Sequence, residues 1–484
     1  MTGVRSRETL DCQSYHHKSY HHIGSETAMN LTTAYRTPSA TNASPQQRRG
    51  PIGRVIIASM LSGIVGALVL TLAVFPGGTE SQIIGSTLLA FGAGWALLGL
   101  LSIRLTEIPQ RWACIPAAVM SATGVAVFAI GPSGVAFTIA GWVWPVLLGA
   151  LAVWMGASVR RARPGRTAWL LYPVIVLTGA AAVAGMVTSI QTRATTDQYP
   201  MPGHAYTVNG HRLHLNCSGS GSPTVVLENG LGLSSPAWAR ITAAVGSTTR
   251  VCAYDRAGQG WSENPAQPQD SRAIAADLHM LLQTAGEQGP FVLAAHSAGG
   301  VYAMTYAATY PDDVAGLVLL DSMSPHQFTL VPAYPGQWEM IRRLYGLLAP
   351  LSRLGFGPVL ADPPADLPDV AAAQEHAIQT RSSNYDNARD EVSLYRQSLE
   401  QAQTLTSLGN TPLVVLTTTE SISKSPGWAT AQDELAALST NSSHRVVDTT
   451  HVGVLVSSAG SDASVRAITD VISAVRTGSP VAGR

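Results

Sequence analysis

Residues 293–300 read LAAHSAGG and place Ser297 among small residues, directly after the apolar run PFVLAA. Such a run favours a buried strand, and Gly299 favours a helix packed closely against it. A serine on a sharp strand-to-helix turn is displayed as a nucleophile. Because a serine hydroxyl is a weak nucleophile, it needs a base that takes its proton and a carboxylate that orients the base. The stretch therefore predicts acyl-transfer chemistry if the chain supplies those partners.

Strands and helices alternate along the part of the chain that contains this serine. Residues 205–217 predict a hairpin with an Asn209–Gly210 turn. Further strands are expected at 224–229, 249–255, 291–295, 315–321, 411–419 and 444–449, and helices at 271–285, 299–310, 428–439 and 462–477. This alternation is typical of an α/β domain with a mainly parallel sheet and helices on both faces. Such sheets carry their chemistry just past the carboxyl ends of strands, where Ser297 lies.

Two further turns follow predicted strands. The segment VVLENGLGLSSPAW (225–238) contains a Gly-rich turn that can aim a backbone N–H at a developing oxyanion. The amides of Leu231 and of Ala298, the residue after the serine, are the candidate oxyanion donors. A plain strand-to-helix connection is the alternative for the Gly-rich turn. The segment YDRAGQGWS (254–262) is the second turn.

The ordered motifs ENGLG, YDRAGQGWS, HSAGG and LVLLD resemble those of the α/β-hydrolase superfamily, in particular its lipase-, esterase- and peptidase-like serine hydrolases. The resemblance covers about residues 204–478 and implies an acyl-enzyme mechanism with no metal or organic cofactor. The chain departs from G-x-S-x-G by carrying Ala295 at the first position. Asn229–Gly230 stands where the family commonly has His-Gly. A dehalogenase or epoxide hydrolase of this fold would use Asp as its nucleophile, so Ser297 argues against both.

The resemblance also implies that nucleophile, acid and base follow one another in the chain. His451, in DTTHVG past the last predicted strand, stands where the family carries its base, although Thr450 replaces the usual Gly. Asp321, at the end of the strand after the nucleophile helix, is the favoured acid. Glu420, near the end of the next strand, is the alternative acid, because the family more often carries its acid there. Weaker candidates are Asp433 and Asp448 for the acid and His326, His376 and His444 for the base; His296 is expected to support the turn.

The first half of the chain is apolar. Five stretches, at 55–75, 83–103, 112–130, 136–159 and 167–190, are each long enough to cross a hydrocarbon core of about 30 Å as a helix. Five such runs argue against a cleaved signal peptide and against buried helices of a soluble protein. Arginines cluster before the first stretch, between the second and third, and between the fourth and fifth. Since positive charge marks the cytoplasmic side, the N-terminus is predicted to be cytoplasmic and the second half extracytoplasmic, on a multi-pass protein of the cell membrane.

Composition and motif positions predict a domain organisation. The formal net charge is zero and only 12% of residues are charged, so nothing indicates a nucleic-acid partner. The predicted parts are a disordered tail at 1–52, a five-helix transmembrane region at 53–192, a linker at 193–203, an α/β-hydrolase core at 204–322 and 411–480, and a helical cap at 323–410. Clustered histidines at 15–22 are more typical of a flexible tail than of a metal site.

The predicted cap contains an amphipathic segment at 338–360, with a break expected at Pro350. Its apolar face would consist of Trp338, Ile341, Leu344, Leu348 and Leu351. The favoured interpretation is a cap helix packed on the core. The alternative is an apolar rim that faces the membrane or acyl chains.

Cys217 and Cys252 each fall in a predicted strand, and in the strand order that the resemblance implies these strands are neighbours. A disulfide between them is therefore expected, and it would persist in an extracytoplasmic domain. Two buried thiols are the alternative.

Together these features predict a membrane-anchored serine hydrolase that cleaves an ester or related acyl bond of a small-molecule or lipid substrate. A ligand sensor that keeps the pocket but turns over little, and signals through the membrane helices, is the alternative. A third hypothesis makes the hydrolase domain subordinate to a partner- or lipid-binding membrane half.

Overall fold

The computed structural model describes residues 51–132, 134–162, 165–361 and 366–482. The predicted tail, apart from its last two residues, and the histidine cluster at 15–22 lie outside the described residues.

Five long apolar helices form the first half of the described chain, and each is long and apolar enough to cross a membrane. They are α1 (Ile52–Val69, continued by a π-helical turn at Leu70–Val74), α2 (Glu80–Leu105), α3 (Cys114–Ile130), α4 (Gly134–Ala162) and α5 (Tyr172–Gln198). Helix α2 begins with a capping box in which Thr79 and Gln82 satisfy each other's backbone amides. Helix α5 continues into the predicted linker, so only residues 199–203 connect it to the first strand.

The second half is built on one eight-stranded sheet with the order β1-β2-β4-β3-β5-β6-β7-β8. The strands are β1 (His204–Val208), β2 (His211–Ser218), β3 (Val225–Glu228), β4 (Val251–Asp255), β5 (Phe291–His296), β6 (Val314–Leu320), β7 (Leu413–Thr418) and β8 (Ser442–Val447). The β1–β2 and β2–β4 pairs are antiparallel and the remaining pairs are parallel. Asn209 and Gly210 both have positive φ, as the predicted two-residue hairpin turn requires.

Helices cover both faces of the sheet. They are α6 (Ala239–Val245), α7 (Ser271–Ala285), α8 (Gly299–Thr309), α14 (Thr419–Lys424), α15 (Trp428–Ala436), α16 (Gly453–Val456) and α17 (Ser458–Thr477), with α9 to α13 in the cap. Strand β5 shows the alternation of a doubly covered sheet. Leu293 and Ala295 pack with α7 and α8, whereas Val292 and Ala294 pack with α6 and α17. The predicted α/β fold class is confirmed.

The cap lies between β6 and β7. Its helices are α9 (Gln327–Leu330), α10 (Tyr334–Leu351), α11 (Gly357–Leu360), α12 (Asp369–Gln379) and α13 (Ser382–Ala402). The break predicted at Pro350 is wrong, because α10 runs through Pro350 and the chain bends at Gly355, where φ is 91°. Pro350 is compatible with the helix because the proline ring fixes φ near the helical value and the helix ends one residue later. The chain bends at Gly355 because glycine adopts a positive φ without a steric penalty.

Cys217 and Cys252 lie directly opposite each other in the register of β2 and β4 and are joined by a disulfide bond. The bond fastens the antiparallel edge of the sheet to its parallel centre.

Candidate active site

Ser297 occupies the sharp turn between β5 and α8, and its φ is 56°. A positive φ is uncommon for a residue with a side chain and stores backbone strain. Two backbone hydrogen bonds hold the turn in place. The Ser297 amide donates to the carbonyl of Leu320 at 3.2 Å, and the Met323 amide donates to the carbonyl of Ser297 at 2.9 Å. The neighbouring strand β6 and its exit loop therefore fix the conformation of the serine.

Small residues around the serine allow this turn to pack against β3. A Cβ atom on Gly299 would lie 2.6 Å from the carbonyl oxygen of Asn229 and 2.7 Å from that of Glu228. Ala295, which stands at the first position of the motif, is completely buried. The methyl group of Ala295 is thus accommodated in the core, whereas Gly299 has no room for a side chain.

His451 and Asp321 complete a hydrogen-bonded chain that begins at Ser297. The Oγ of Ser297 lies 2.9 Å from Nε2 of His451, and Nδ1 of the same imidazole lies 2.7 Å from Oδ2 of Asp321. The His451 side chain is 33% exposed, whereas that of Asp321 is fully buried. The imidazole is therefore open to solvent on one side and anchored by a buried carboxylate on the other.

The Asp321 carboxylate accepts four hydrogen bonds besides the one from His451. The donors are the Thr418 amide at 3.1 Å, the Thr418 hydroxyl at 2.9 Å, the Ser421 hydroxyl at 2.5 Å and Nε1 of Trp428 at 2.9 Å. Burial raises the pKa of Asp321, but the hydrogen bonds from His451, Ser421 and Thr418 outweigh it and hold the pKa below its ordinary value. The carboxylate is therefore ionised beside the imidazole.

Glu420, the alternative acid, does not meet the imidazole. Its Oε2 accepts the backbone N–H of His451 at 2.6 Å, and its Oε1 accepts Nζ of Lys424 at 2.6 Å. Hydrogen bonds from Lys424 and from the His451 amide lower the pKa of Glu420. The two weaker candidates have other partners: Asp433 binds Nδ1 of His444, and Asp448 accepts the Thr419 hydroxyl.

His296, next to the serine, supports the backbone of the histidine loop. Its Nε2 donates to the carbonyl oxygen of His451 at 2.9 Å. Burial, together with the nearby His451 ring, lowers the pKa of His296 to about 3. The ring is therefore neutral near pH 7, with Nε2 protonated.

The turn after β3 lies directly against the serine. A Cβ atom on Gly230 would be 3.1 Å from Cβ of Ser297, so the neighbouring Leu231 is held close to the nucleophile. Within the described part of the chain, the amides of Leu231 and Ala298 donate to no backbone or side-chain acceptor. Two unengaged donors beside a serine fit an oxyanion site.

A buried ionic cluster, which the sequence did not predict, supports this turn. The Arg256 guanidinium donates to the carbonyl oxygens of Asn229 and Gly230 at 2.6 and 3.4 Å. It also pairs with Glu228 at 2.6 Å and with Glu391 of α13 at 2.9 Å. Arg256 lies in the motif YDRAGQGWS, but no role is assigned to it from the sequence alone. Its partner in the cap is distant in the chain, so nothing in the sequence pairs the two.

The described residues contain one close group of side chains of the types that bind metals, namely Cys217, Cys252 and Glu287. The two cysteines are joined in the disulfide, so their thiolates are not available as ligands. Glu287 is paired with Arg250 at 2.6 Å. This group is therefore a disulfide beside an ion pair.

Residues 223–422 match a protein-family model described as the alpha/beta hydrolase fold. An uncharacterized protein of Schizosaccharomyces pombe is 26% identical over 58% of this chain and 58% of its own length. The soluble epoxide hydrolase of a Corynebacterium species is 34% identical over 24% of this chain and 41% of its own length. The chain thus spans less than two thirds of either curated relative. A thermophilic esterase from Thermogutta terrifontis aligns over 57% of this chain and all of its own, with 21% identity and a TM-score of 0.46.

Proposed function

The second half of this chain is a domain of the α/β-hydrolase fold, and on that premise we propose that the protein is a membrane-anchored serine hydrolase that cleaves an acyl bond. The observation that carries the proposal is the continuous hydrogen-bonded chain from Ser297 through His451 to Asp321. The Ser297–His451 distance allows proton transfer, and the His451–Asp321 distance allows the carboxylate to orient the imidazole. Esters and related acyl compounds are the substrate class.

Each member of the chain has one task in this mechanism. Ser297 Oγ attacks the acyl carbonyl while Nε2 of His451 takes its proton, and the ionised Asp321 stabilises the resulting imidazolium. The amides of Leu231 and Ala298 hold the negative charge that develops on the carbonyl oxygen. His451 then returns the proton to the leaving group. Water, deprotonated by the same histidine, attacks the acyl-enzyme, and the histidine returns that proton to Ser297 Oγ as the acid is released.

The residue at the nucleophile position distinguishes this reaction from that of the epoxide-hydrolase relative. An α/β hydrolase that opens epoxides attacks through an aspartate, whereas this chain presents Ser297 at the turn. The strained φ of Ser297 adds support, because such backbone strain is concentrated at functional sites. We therefore favour acyl transfer over epoxide opening.

Membrane anchoring and the extracytoplasmic position of the domain belong to the same proposal. The hydrolase domain touches the five helices at one end, through the turn at Pro76 and the start of α2 at Glu80. The described connections at this end, 75–79 and 131–132, contain no Lys or Arg, whereas arginines lie at the other end. Since positive charge is retained in the cytoplasm, the domain would lie outside.

Steady-state hydrolysis tests the proposal. The full chain in detergent is assayed with p-nitrophenyl esters of increasing acyl length, with Ser297→Ala as the matched variant. We expect saturable turnover that the variant loses by a factor of about 10³ or more. Binding of esters without turnover by the folded wild-type protein would contradict the proposal and would favour a ligand sensor that signals through the membrane helices.

A further inference from the structure

The cap contacts one end of the apolar helix bundle, at the turn before α2 and at the starts of α2 and α4. The Arg353 side chain makes a two-point ion pair with Glu80 at the start of α2, with Nη2 2.9 Å from Oε2, and it stacks over the ring of Phe137 in α4 at 5.0 Å. Nη1 of Arg342 donates to the carbonyl oxygen of Pro76 at 2.5 Å. The cap therefore has fixed contacts with three segments of the membrane half.

The bend after α10 reaches further along the bundle than these polar contacts do. A Cβ atom on Gly355 would lie 3.3 Å from Cβ of Ala184 and 3.6 Å from Oγ1 of Thr188, both in α5. Ala184 and Thr188 lie inside the apolar stretch 167–190, which is predicted to cross the bilayer. The bend thus sits beside a part of α5 that hydrocarbon would surround.

The side chains around the bend are apolar and uncovered. Val359 is 81% exposed and Phe356 is 50% exposed. We define the apolar cap surface as Leu344, Leu351, Leu354, Phe356 and Val359, all of them exposed. Exposed aromatic and aliphatic side chains grouped in this way are unfavourable in water and favourable at a membrane interface.

The same helix also reaches the candidate active site, through residues that neighbour the exposed leucines on its surface. Trp338, Ile341 and Tyr345 of α10, like Leu231, pack against the core cluster that contains Ala298. The Tyr345 hydroxyl lies 3.6 Å from the position that a Cβ on Gly232 would occupy, next to the candidate oxyanion donor. Helix α10 therefore contributes Leu344 and Leu351 to the apolar cap surface and Tyr345 to the surroundings of the turn that faces Ser297.

We propose that the apolar cap surface is immersed in the outer leaflet of the membrane that α1 to α5 span, and that the substrate of Ser297 is an acyl ester of a lipid in that leaflet. The inference rests on the proposed function for its chemistry, whereas the position of the cap rests on contacts with the helices. Hydrolysis would transfer the lipid acyl group to Ser297 Oγ and release the lipid alcohol, and water would then release the fatty acid. A lipid is favoured over a soluble ester because the cap would present the site at the bilayer surface.

Spin labelling tests the immersion without any need for catalysis. The full chain, with Cys12 and Cys114 replaced by serine, is labelled at Phe356→Cys or Val359→Cys and reconstituted in phospholipid nanodiscs. We expect collisions with oxygen to exceed collisions with a water-soluble nickel chelate at both sites. Val446→Cys is the matched control, because Val446 is an exposed valine on β8 outside the apolar cap surface, and there the order should be reversed. Higher nickel accessibility at 356 and 359 would overturn the immersion.

A paired assay tests the substrate class. The double variant Phe356→Ser/Val359→Ser is compared with wild type on a fluorogenic diacyl glycerolipid in vesicles and on a short soluble ester. We expect the ratio of the lipid rate to the soluble-ester rate to fall about tenfold, and Val446→Ser to leave the ratio unchanged. An unchanged ratio in the double variant would overturn the lipid assignment. Absence of turnover on both esters in wild type would instead overturn the proposed function, while the spin labels still decide the position of the cap.

Discussion

The carboxylate of Glu420 accepts the backbone N–H of His451 at 2.6 Å, and the imidazole of the same histidine is bound by a different carboxylate, that of Asp321. The two acids that sequence reasoning offered as alternatives therefore act on different parts of one residue. Glu420 holds the loop, whereas Asp321 fixes the ring and its tautomer. Substitutions of the two acids should therefore lower kcat to different extents.

Replacement of Asp321 by asparagine is expected to lower kcat by a factor of about 10³ to 10⁴, because the amide stabilises neither the imidazolium nor the required tautomer. Glu420→Gln keeps an acceptor for the His451 amide, and its loss of kcat should be within about tenfold. Both are measured as kcat and KM on a soluble ester, with Asp433→Asn as a control at an acid paired with His444. A larger loss in Glu420→Gln than in Asp321→Asn would reverse the assignment.

The buried His296 predicts a loss of stability on mild acidification. Its pKa is about 3 in the folded chain, below the value of about 6.5 expected when unfolded. Between these values only the unfolded state takes up the proton, so the stabilisation is present above pH 6.5 and is lost as the pH falls. From pH 7 to pH 5 the free energy of unfolding should fall by about 2 kcal/mol more in wild type than in His296→Gln.

Urea unfolding of the full chain in detergent, followed by near-UV circular dichroism, measures this difference. Titration of Asp321 does not contribute to this difference. Because its pKa is lowered, its effect on the free energy of unfolding changes only at pH values below the ordinary pKa of an aspartate. Parallel losses in wild type and variant would contradict a buried neutral His296.

The positive φ of Ser297 predicts that glycine is more stable than alanine at this position. Both substitutions remove the hydroxyl, but only glycine relieves the backbone strain, and Ser297→Gly should unfold with a free energy about 1 kcal/mol higher than Ser297→Ala. Both variants lack the nucleophilic hydroxyl, so activity cannot distinguish them. Their thermal unfolding midpoints are compared instead. Equal midpoints would mean that the turn is not strained.

The Arg256 cluster predicts a strong, partly recoverable loss of stability. Arg256→Met leaves Glu228 and Glu391 buried without their cation and should cost about 3–5 kcal/mol. Adding Glu391→Leu removes one of the two uncompensated carboxylates, so the double variant should be more stable than Arg256→Met alone. A double-mutant cycle on the unfolding free energies measures the coupling. Additive effects would show that the link between core and cap is energetically unimportant.

Much of the candidate site follows from local sequence. The serine turn needs small residues within a few positions of Ser297, and His451 follows the last strand, so both stand out in the chain. The sequence does not separate the two candidate acids, Asp321 and Glu420. Strands β6 and β7 are adjacent and parallel, so their carboxyl ends share one edge of the sheet. Glu420 lies on α14 beyond β7, and only the side-chain direction in three dimensions separates it from Asp321.

The cap was only partly predictable. The spacing of apolar residues predicts its amphipathic helix. The prediction that all five apolar residues pack on the core is wrong for Leu344 and Leu351, which are exposed, whereas Trp338 and Ile341 do pack on it. The pairs Arg353–Glu80 and Arg256–Glu391 each join residues more than one hundred positions apart, so no local pattern reports them. The bend at Gly355 depends on a φ that glycine permits but does not require.

Covalent labelling shows whether Ser297 is an activated nucleophile. The full chain is treated with a fluorophosphonate, which reacts with activated serines, and the modified residue is identified by mass spectrometry. We expect stoichiometric modification of Ser297 that is absent in Ser297→Ala and strongly slowed in His451→Ala, while both variants stay folded by circular dichroism. A folded wild-type protein that remains unmodified, or is modified at another serine, would contradict the proposed function.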